Sequence, residues 1–155
     1  MPSTVPIEPP MAFIDTGGFI ALYVPEDAHH QEALECREQT LKFSRLYTSS
    51  AVISETIGHI QRDHQIDQSA LVRFTQDIVD RQKWITLLHV DDDLTTRALE
   101  MVKIRNNRRF GLVDATNILL MEAHRIDYIF AFDFLYDGQV VKRGHETRFI
   151  TRIPI

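Results

Sequence analysis

The chain is poor in the features that would assign it to several large classes. It has one cysteine, Cys36. That excludes an intramolecular disulfide and a thiolate zinc cluster, and it fits a reducing, cytoplasmic setting. No apolar run approaches the roughly 20 residues that span a bilayer. The N-terminus is proline-rich rather than basic then apolar, so neither a secretory leader nor a membrane partner is expected. Glycine is scarce, with 6 in 155 residues. There is no Walker A sequence and no Gly-x-Gly-x-x-Gly, and Gly17-Gly18 alone makes no phosphate cradle. The 7 histidines include no His-x-x-x-His pair, and His29-His30 reads as a surface pair or a packed helix start. Positive charge is also in deficit: Lys and Arg number 17 against 22 Asp and Glu, for a formal net charge of −5. Such a chain does not attract nucleic acid through its overall field. A nucleic-acid substrate would have to be met by a local basic patch and a cation.

What remains is ordinary globular protein, 44% hydrophobic and 25% charged, of a length that suits one core. Residues 1–10 hold four prolines and read as a flexible arm without chemistry, with Met11 an alternative start. Residues 11–155 read as a single domain. Met11 to Ile14 has the pattern of a buried strand. Phe19, Ile20 and Tyr23 then follow helical spacing, with Thr16 as a cap. Asp27 to Leu41 reads as a polar amphipathic helix. Ser49 or Ser50 caps a helix in which Ile53, Ile57 and Ile60 form the apolar stripe while Val52, Glu55 and His59 share another face. Asp67 and Ser69 open a helix carrying Leu71, Phe74, Ile78 and Val79. Ile85 to Val90 is strand-like, and Trp84 reads as core. Asp92 or Asp93 caps a helix through Leu94, Ala98, Met101 and Val102. Asp114 opens an apolar helix to His124. Tyr128 to Phe132 is the clearest buried strand, and Val140-Val141 and Phe149-Ile150 are short final strands. Strands alternating with helices predict an α/β domain with a mainly parallel central sheet, whose ligands lie beyond the carboxyl ends of the strands.

Four acids stand out against this pattern: Asp15 in FIDTGGFIALY, Glu55 in AVISETIGHI, Asp114 in GLVDATNILLM and Asp133 in YIFAFDFLYDG. A carboxylate beside so much apolar surface is costly unless something compensates it. Several brought together repel one another and imply a bound cation. Each has a plainer reading alone. Asp15 and Asp114 serve equally well as helix caps, Glu55 as a solvated helical residue, and Asp133 as a turn former. Thr16 beside Asp15, Asn117 one turn after Asp114, and Asp137 near Asp133 are auxiliary candidates, although Asp137-Gly138 also reads as a turn.

The order and context of the four acids resemble the PIN-domain family, VapC-type toxins and their relatives in particular, from Phe13 to about Gly138. The matching segments are FIDT at Asp15, EDAHHQEA around His30 and Ala33, TSSAVISE at Glu55, LVDATNILLMEAHRI at Asp114 and YIFAFDFLYDG at Asp133. Three positions depart from the family's usual pattern. Gly111 stands where a serine is common, Ala131 where a threonine is common, and Asp133-Phe134-Leu135-Tyr136 replaces Asp-x-His-Phe. The two missing hydroxyls would weaken the support of the acids.

The resemblance implies a three-layer α/β/α fold and metal-dependent hydrolysis of RNA. Asp15, Glu55, Asp114 and Asp133 would be both metal ligands and catalytic residues, with Mg²⁺ or Mn²⁺ as the cofactor. It further implies a small antitoxin protein as partner and a homodimer. Lys103, Arg105, Arg108 and Arg109, in KIRNNRRF, are candidates for RNA phosphates or, equally, cations of a solvated loop near a helix C-terminus. Lys142, Arg143, Arg148 and Arg152 form a second, weaker patch. Competing readings are a housekeeping RNA-processing nuclease, a non-catalytic module that binds RNA or a protein, and an aspartyl-nucleophile phosphohydrolase. The last lacks its usual second Asp, since Gly17 occupies that position.

Overall fold

The computed structural model describes residues 9–81 and 84–154. Most of the expected proline-rich arm, residues 1–8, lies outside the described residues. Seven strands and six α-helices are described: β1 (Met11–Ile14), α1 (Thr16–Tyr23), α2 (His30–Gln39), β2 (Arg45–Ser49), α3 (Ser50–Arg62), α4 (Ser69–Val79), β3 (Ile85–Leu88), α5 (Asp92–Arg105), α6 (Leu112–His124), β4 (Tyr128–Phe130), β5 (Val140–Arg143), β6 (Glu146–Phe149) and β7 (Thr151–Ile153). Single 3₁₀ turns cover Leu41–Phe43 and Phe134–Tyr136. Among the described residues no helix is long and apolar enough to cross a membrane.

The central sheet runs β3-β2-β1-β4-β7 and every pairing in it is parallel. Helices flank it, α1, α3 and α4 packing together and α5 against α6. This is the expected α/β/α architecture with its parallel sheet. The central strands are buried on both faces, as parallel sheets require: Ala12, Phe13, Ile14, Ile129 and Phe130 are all at most 1% exposed. α1 crosses β4 so closely that a Cβ on Gly18 would meet the Phe130 carbonyl oxygen at 2.6 Å. β5 and β6 form a separate antiparallel hairpin, with β5 packed on α6.

Several local expectations need correction. β2 was not anticipated, because Arg-Leu-Tyr-Thr-Ser carries little apolar signal. It is held by pairing with β1 and β3, and its buried Thr48 hydroxyl donates to the Ile14 carbonyl at 3.0 Å. The buried stripe of α3 is Val52, Thr56 and Ile60, with Ile53 and Ile57 only half-buried against the core. Thr56 tolerates burial because its hydroxyl donates to the Val52 carbonyl at 2.8 Å. α5 is capped by Asp91, which accepts from the Leu94 N–H at 2.8 Å, rather than by Asp92 or Asp93. α6 begins earlier than expected, at Leu112, with Gly111 as its N-cap. Asp114 is therefore in its first turn rather than before it. β4 ends at Phe130, and Asp133 caps the following 3₁₀ turn, accepting from the Leu135 N–H at 2.9 Å.

Candidate active site

Three segments converge beyond the carboxyl ends of β1 and β4: the start of α1, the start of α6 and the turn after β4. Asp15 immediately follows β1 and is 6% exposed. Its N–H is pinned to the Phe130 carbonyl at 3.1 Å, so the β1–β4 pairing itself sets its position. Its side chain makes no capping bond to α1, which removes the plain cap reading. Instead, Asp15 Oδ1 accepts from Asn117 Nδ2 at 2.9 Å. Asp114 is half-buried. Its Oδ2 accepts from the Gly111 N–H at 2.8 Å, and its Oδ1 accepts from the Tyr136 hydroxyl at 3.1 Å. Asn117 donates a second hydrogen to Tyr136 Oη at 2.9 Å. Asp15, Asn117, Tyr136 and Asp114 thus form one hydrogen-bonded chain.

The electrostatics of this cluster are uncompensated. Burial pushes the Asp15 carboxyl up to about 7, and the negative charges of Asp114 and Glu55 add to the rise; the Thr16 N–H and Asn117 oppose it. Burial likewise raises the Asp114 carboxyl, with Glu55 and Asp133 contributing. Burial, then the nearby Asp15 and Asp114, hold the Tyr136 phenol well above its ordinary value, so it remains a donor. Among the described residues no cation figures in the leading influences on either aspartate. Thr16 Oγ1 and Asn117 Oδ1 are buried without a hydrogen-bond partner among the described residues, although such atoms are normally satisfied.

Glu55, on α3, and Asp133 are both exposed. They act on the inner pair through space rather than by hydrogen bonds. Among the described residues no three carboxylate, imidazole or thiolate groups stand close enough together to hold an ion as arranged. The donor set nevertheless suits a hard cation. Mg²⁺ is commonly held by one or two carboxylates and keeps several waters, and Asp15 with Asp114 supplies such a pair beside unpaired oxygen atoms. Asp137 is not part of this cluster, because Arg152 binds it at 3.0 Å.

The basic candidates divide. Lys103 pairs with Glu100 at 2.9 Å. Arg105 lies over the Phe110 ring at 4.2 Å and donates to Gln139 at 2.7 Å. Arg108 and Arg109 are exposed in the loop before α6. The three arginines of the second patch are paired: Arg143 and Arg148 both bind Asp127, at 2.7 and 3.2 Å, and Arg152 binds Asp137. His30 anchors α2 through Nδ1 and the Ala21 carbonyl at 2.7 Å, while His29 stacks on Phe132 at 4.4 Å. His30 is thus a packing residue at the start of α2, whereas His29 is exposed and also lies 3.6 Å from Glu32.

Sequence reasoning missed Tyr136. The signal was present, since a tyrosine in an apolar run needs a partner for its hydroxyl when buried. Nothing in the linear pattern said that the partners would be Asp114 and Asn117.

The comparisons with known proteins agree with this architecture. No curated protein sequence matches the chain. Among solved structures it is similar to VapC20 of Mycobacterium tuberculosis, described as a sarcin-ricin loop cleaving toxin, with 26% identity and a TM-score of 0.68 over 80% of this chain and 91% of that one. It shares its fold with a Pyrobaculum aerophilum protein, at 16% identity and a TM-score of 0.52 over 80% of this chain and 81% of the other. It also shares its fold with VapBC2 of Rickettsia felis, solved with a DNA fragment from its promoter, at 10% identity and a TM-score of 0.56 over 81% and 90%. The sequence profile of the PIN domain matches residues 12–135, which span β1 to the turn that carries Asp133. The chain therefore belongs to the PIN domain family.

Proposed function

We propose that this protein is a divalent-metal-dependent endoribonuclease, using Mg²⁺ or Mn²⁺, and that it acts in the cytoplasm as the VapC-like toxin of a toxin–antitoxin pair. The observation that carries the reading is the buried Asp15 beside Asp114, joined by neutral donors with no cation of the protein's own, in a PIN domain. The likeness to VapC20, described as cleaving the sarcin-ricin loop, supports RNA as the substrate. A small antitoxin protein as partner and a homodimer belong to the same proposal.

Asp15 and Asp114 would hold the ion, with Glu55 and Asp133 completing the anionic surround. When bound, such an ion makes a water nucleophilic at neutral pH and offsets charge developing on the phosphate. The protein's part is positional. Asn117 and Tyr136 orient the two carboxylates, the Gly111 N–H fixes the second oxygen of Asp114, and Thr16 offers an unpaired hydroxyl beside Asp15. Arg108 and Arg109 lie six and five residues before Asp114, where exposed guanidinium groups can meet flanking phosphates.

The test is incubation of purified, partner-free protein with cellular RNA, in Mg²⁺ or Mn²⁺ and in EDTA, beside an Asp15→Asn, Asp114→Asn double variant. Metal-dependent fragments with 5′-phosphate and 3′-hydroxyl ends, absent for the variant, are expected. Cyclic 2′,3′-phosphate ends would contradict the mechanism. RNA retained without cleavage in either metal would replace the enzyme with a binding module.

A further inference from the structure

We infer that Tyr136 is a positioning residue for the acidic pair, supplying the hydroxyl that orients Asp114 for a divalent cation. This rests on the metal-site reading above and extends it to a residue that the acidic pattern does not include. The argument begins with proton accounting. A phenol has one hydrogen to donate, and it goes to Asp114 Oδ1 at 3.1 Å. Its oxygen accepts from Asn117 Nδ2 at 2.9 Å. The second hydrogen of that amide goes to Asp15 Oδ1 at 2.9 Å. Both amide hydrogens are used, so the orientation of Asn117 is determined: a flipped amide would turn its oxygen toward the Asp15 carboxylate. The chain ends on a carboxylate at each side, and each of the two acids is met by a donor. The network therefore holds both acids as acceptors and needs neither to give a proton.

Asp114 is clamped at both oxygens, Oδ2 by the Gly111 N–H at 2.8 Å and Oδ1 by Tyr136. Two such contacts fix the plane of a carboxylate, whereas the backbone contact alone leaves it free to turn. Tyr136 can hold its hydroxyl there because its ring is fully buried and the 3₁₀ turn that carries it is capped by Asp133. One element thus delivers both Asp133 and the clamp on Asp114.

Position 111 offers an internal control. Gly111 has φ −97° and ψ −180°, an extended conformation open to any residue. A Cβ built there would lie 3.6 Å from Asp114 Oδ2, an ordinary contact from which a serine hydroxyl reaches the same carboxylate. Serine is also a better helix cap than glycine. A hydroxyl absent at 111 and one present at 136 are alternative supports for a single acid.

The experiment titrates the full chain with Mn²⁺ in the absence of RNA, following free Mn²⁺ by electron paramagnetic resonance, with thermal melts alongside. Wild type, Tyr136→Phe, and Tyr136→Phe with Gly111→Ser are compared. Tyr136→Phe keeps the buried ring and removes one oxygen. Its Mn²⁺ affinity should fall about tenfold, the effect typical of losing an outer partner of a ligand, and the double variant should recover much of that loss. Cleavage by Tyr136→Phe should be rescued by raising Mn²⁺, with the apparent KM for RNA unchanged. Equal Mn²⁺ affinity in wild type and Tyr136→Phe would overturn the assignment and leave the nuclease reading standing. No Mn²⁺ binding by wild type would overturn the metal reading itself. If Tyr136→Phe melts early, the double variant still decides: tighter binding than the single variant supports the assignment, and equal binding overturns it.

Discussion

The two ends of β4 handle acids withdrawn from solvent, wholly or in part, in opposite ways. At the N-terminal end, Asp127 meets two guanidinium groups, Arg143 at 2.7 Å and Arg148 at 3.2 Å, and the Arg143 side chain is only 6% exposed. Both arginines come from the hairpin of β5 and β6, beyond the matched PIN segment. At the C-terminal end, Asp15 and Asp114 receive only amide and hydroxyl donors while Glu55 and Asp133 add negative charge. One end is neutralised by residues of the chain. The other has no counter-ion among the described residues in a desolvated setting, and desolvation raises the cost of charge there. The contrast teaches that partial burial of an acid does not by itself mark a site. An acid buried without its counter-ion does.

Four measurements would break or sharpen that contrast. The largest effect is expected on cleavage. Asp15→Asn and Asp114→Asn should each reduce it by more than about 100-fold, since even outer partners of metal ligands cost roughly 10- to 100-fold. Activity near wild type in both would erase the functional half of the contrast.

The next effect is on stability against pH. Asp15 in the folded chain binds its proton up to about 7, against an ordinary 3.8. Between those values the folded state holds a proton that the unfolded state has lost. Stability without metal should therefore decline as pH rises from about 4 to about 7. Asp15→Asn removes the Asp15 share of the dependence and should stabilise the metal-free protein near pH 8 by at most about 4 kcal/mol, at about 1.4 kcal/mol per unit. Thermal melts of both proteins across pH, in EDTA, check the sign.

The hairpin end should respond differently. Arg143→Met strands Asp127 with one exposed partner and should cost about 2–3 kcal/mol, whereas Arg148→Ala should cost about 1 kcal/mol or less. Urea unfolding measures both, and neither should alter metal dependence. The smallest effect concerns substrate. Arg108→Ala and Arg109→Ala should each lower the salt dependence of single-stranded RNA binding by roughly 0.7 in log–log slope, measured with Asp15→Asn protein so that nothing is cut. An unchanged slope would return these residues to a solvated loop.

The limits of reading the chain follow from particular residues. β1 and the core of β4 were legible because parallel central strands are apolar on both faces, and Met11–Ile14 was anticipated to the residue. β2 was not legible: its stability comes from its neighbours and from a Thr48 hydroxyl bonded to Ile14, 34 residues away. The helix over Asp114 is legible in the sequence but its start is not, because the acid has the pattern of a cap while Gly111 is the N-cap. In the structure Asp114 reaches back to the Gly111 N–H from within the first turn. The second basic patch read as four available cations, yet the partners of its arginines, Asp127 and Asp137, are brought to them only by the pairing of β4 with β7 and by the hairpin.

By itself the sequence determined the α/β class and the family and singled out four acids as candidates, because hydrophobic period and residue order are local properties that survive in one dimension. Only the tertiary structure decided which acids are intimate and which stand outside. Asn117 reaches Asp15 across 102 positions, and Tyr136 reaches Asp114 across 22. Burial, charge repulsion and the direction of a hydroxyl proton depend on distances in space, and no spacing along the chain encodes them.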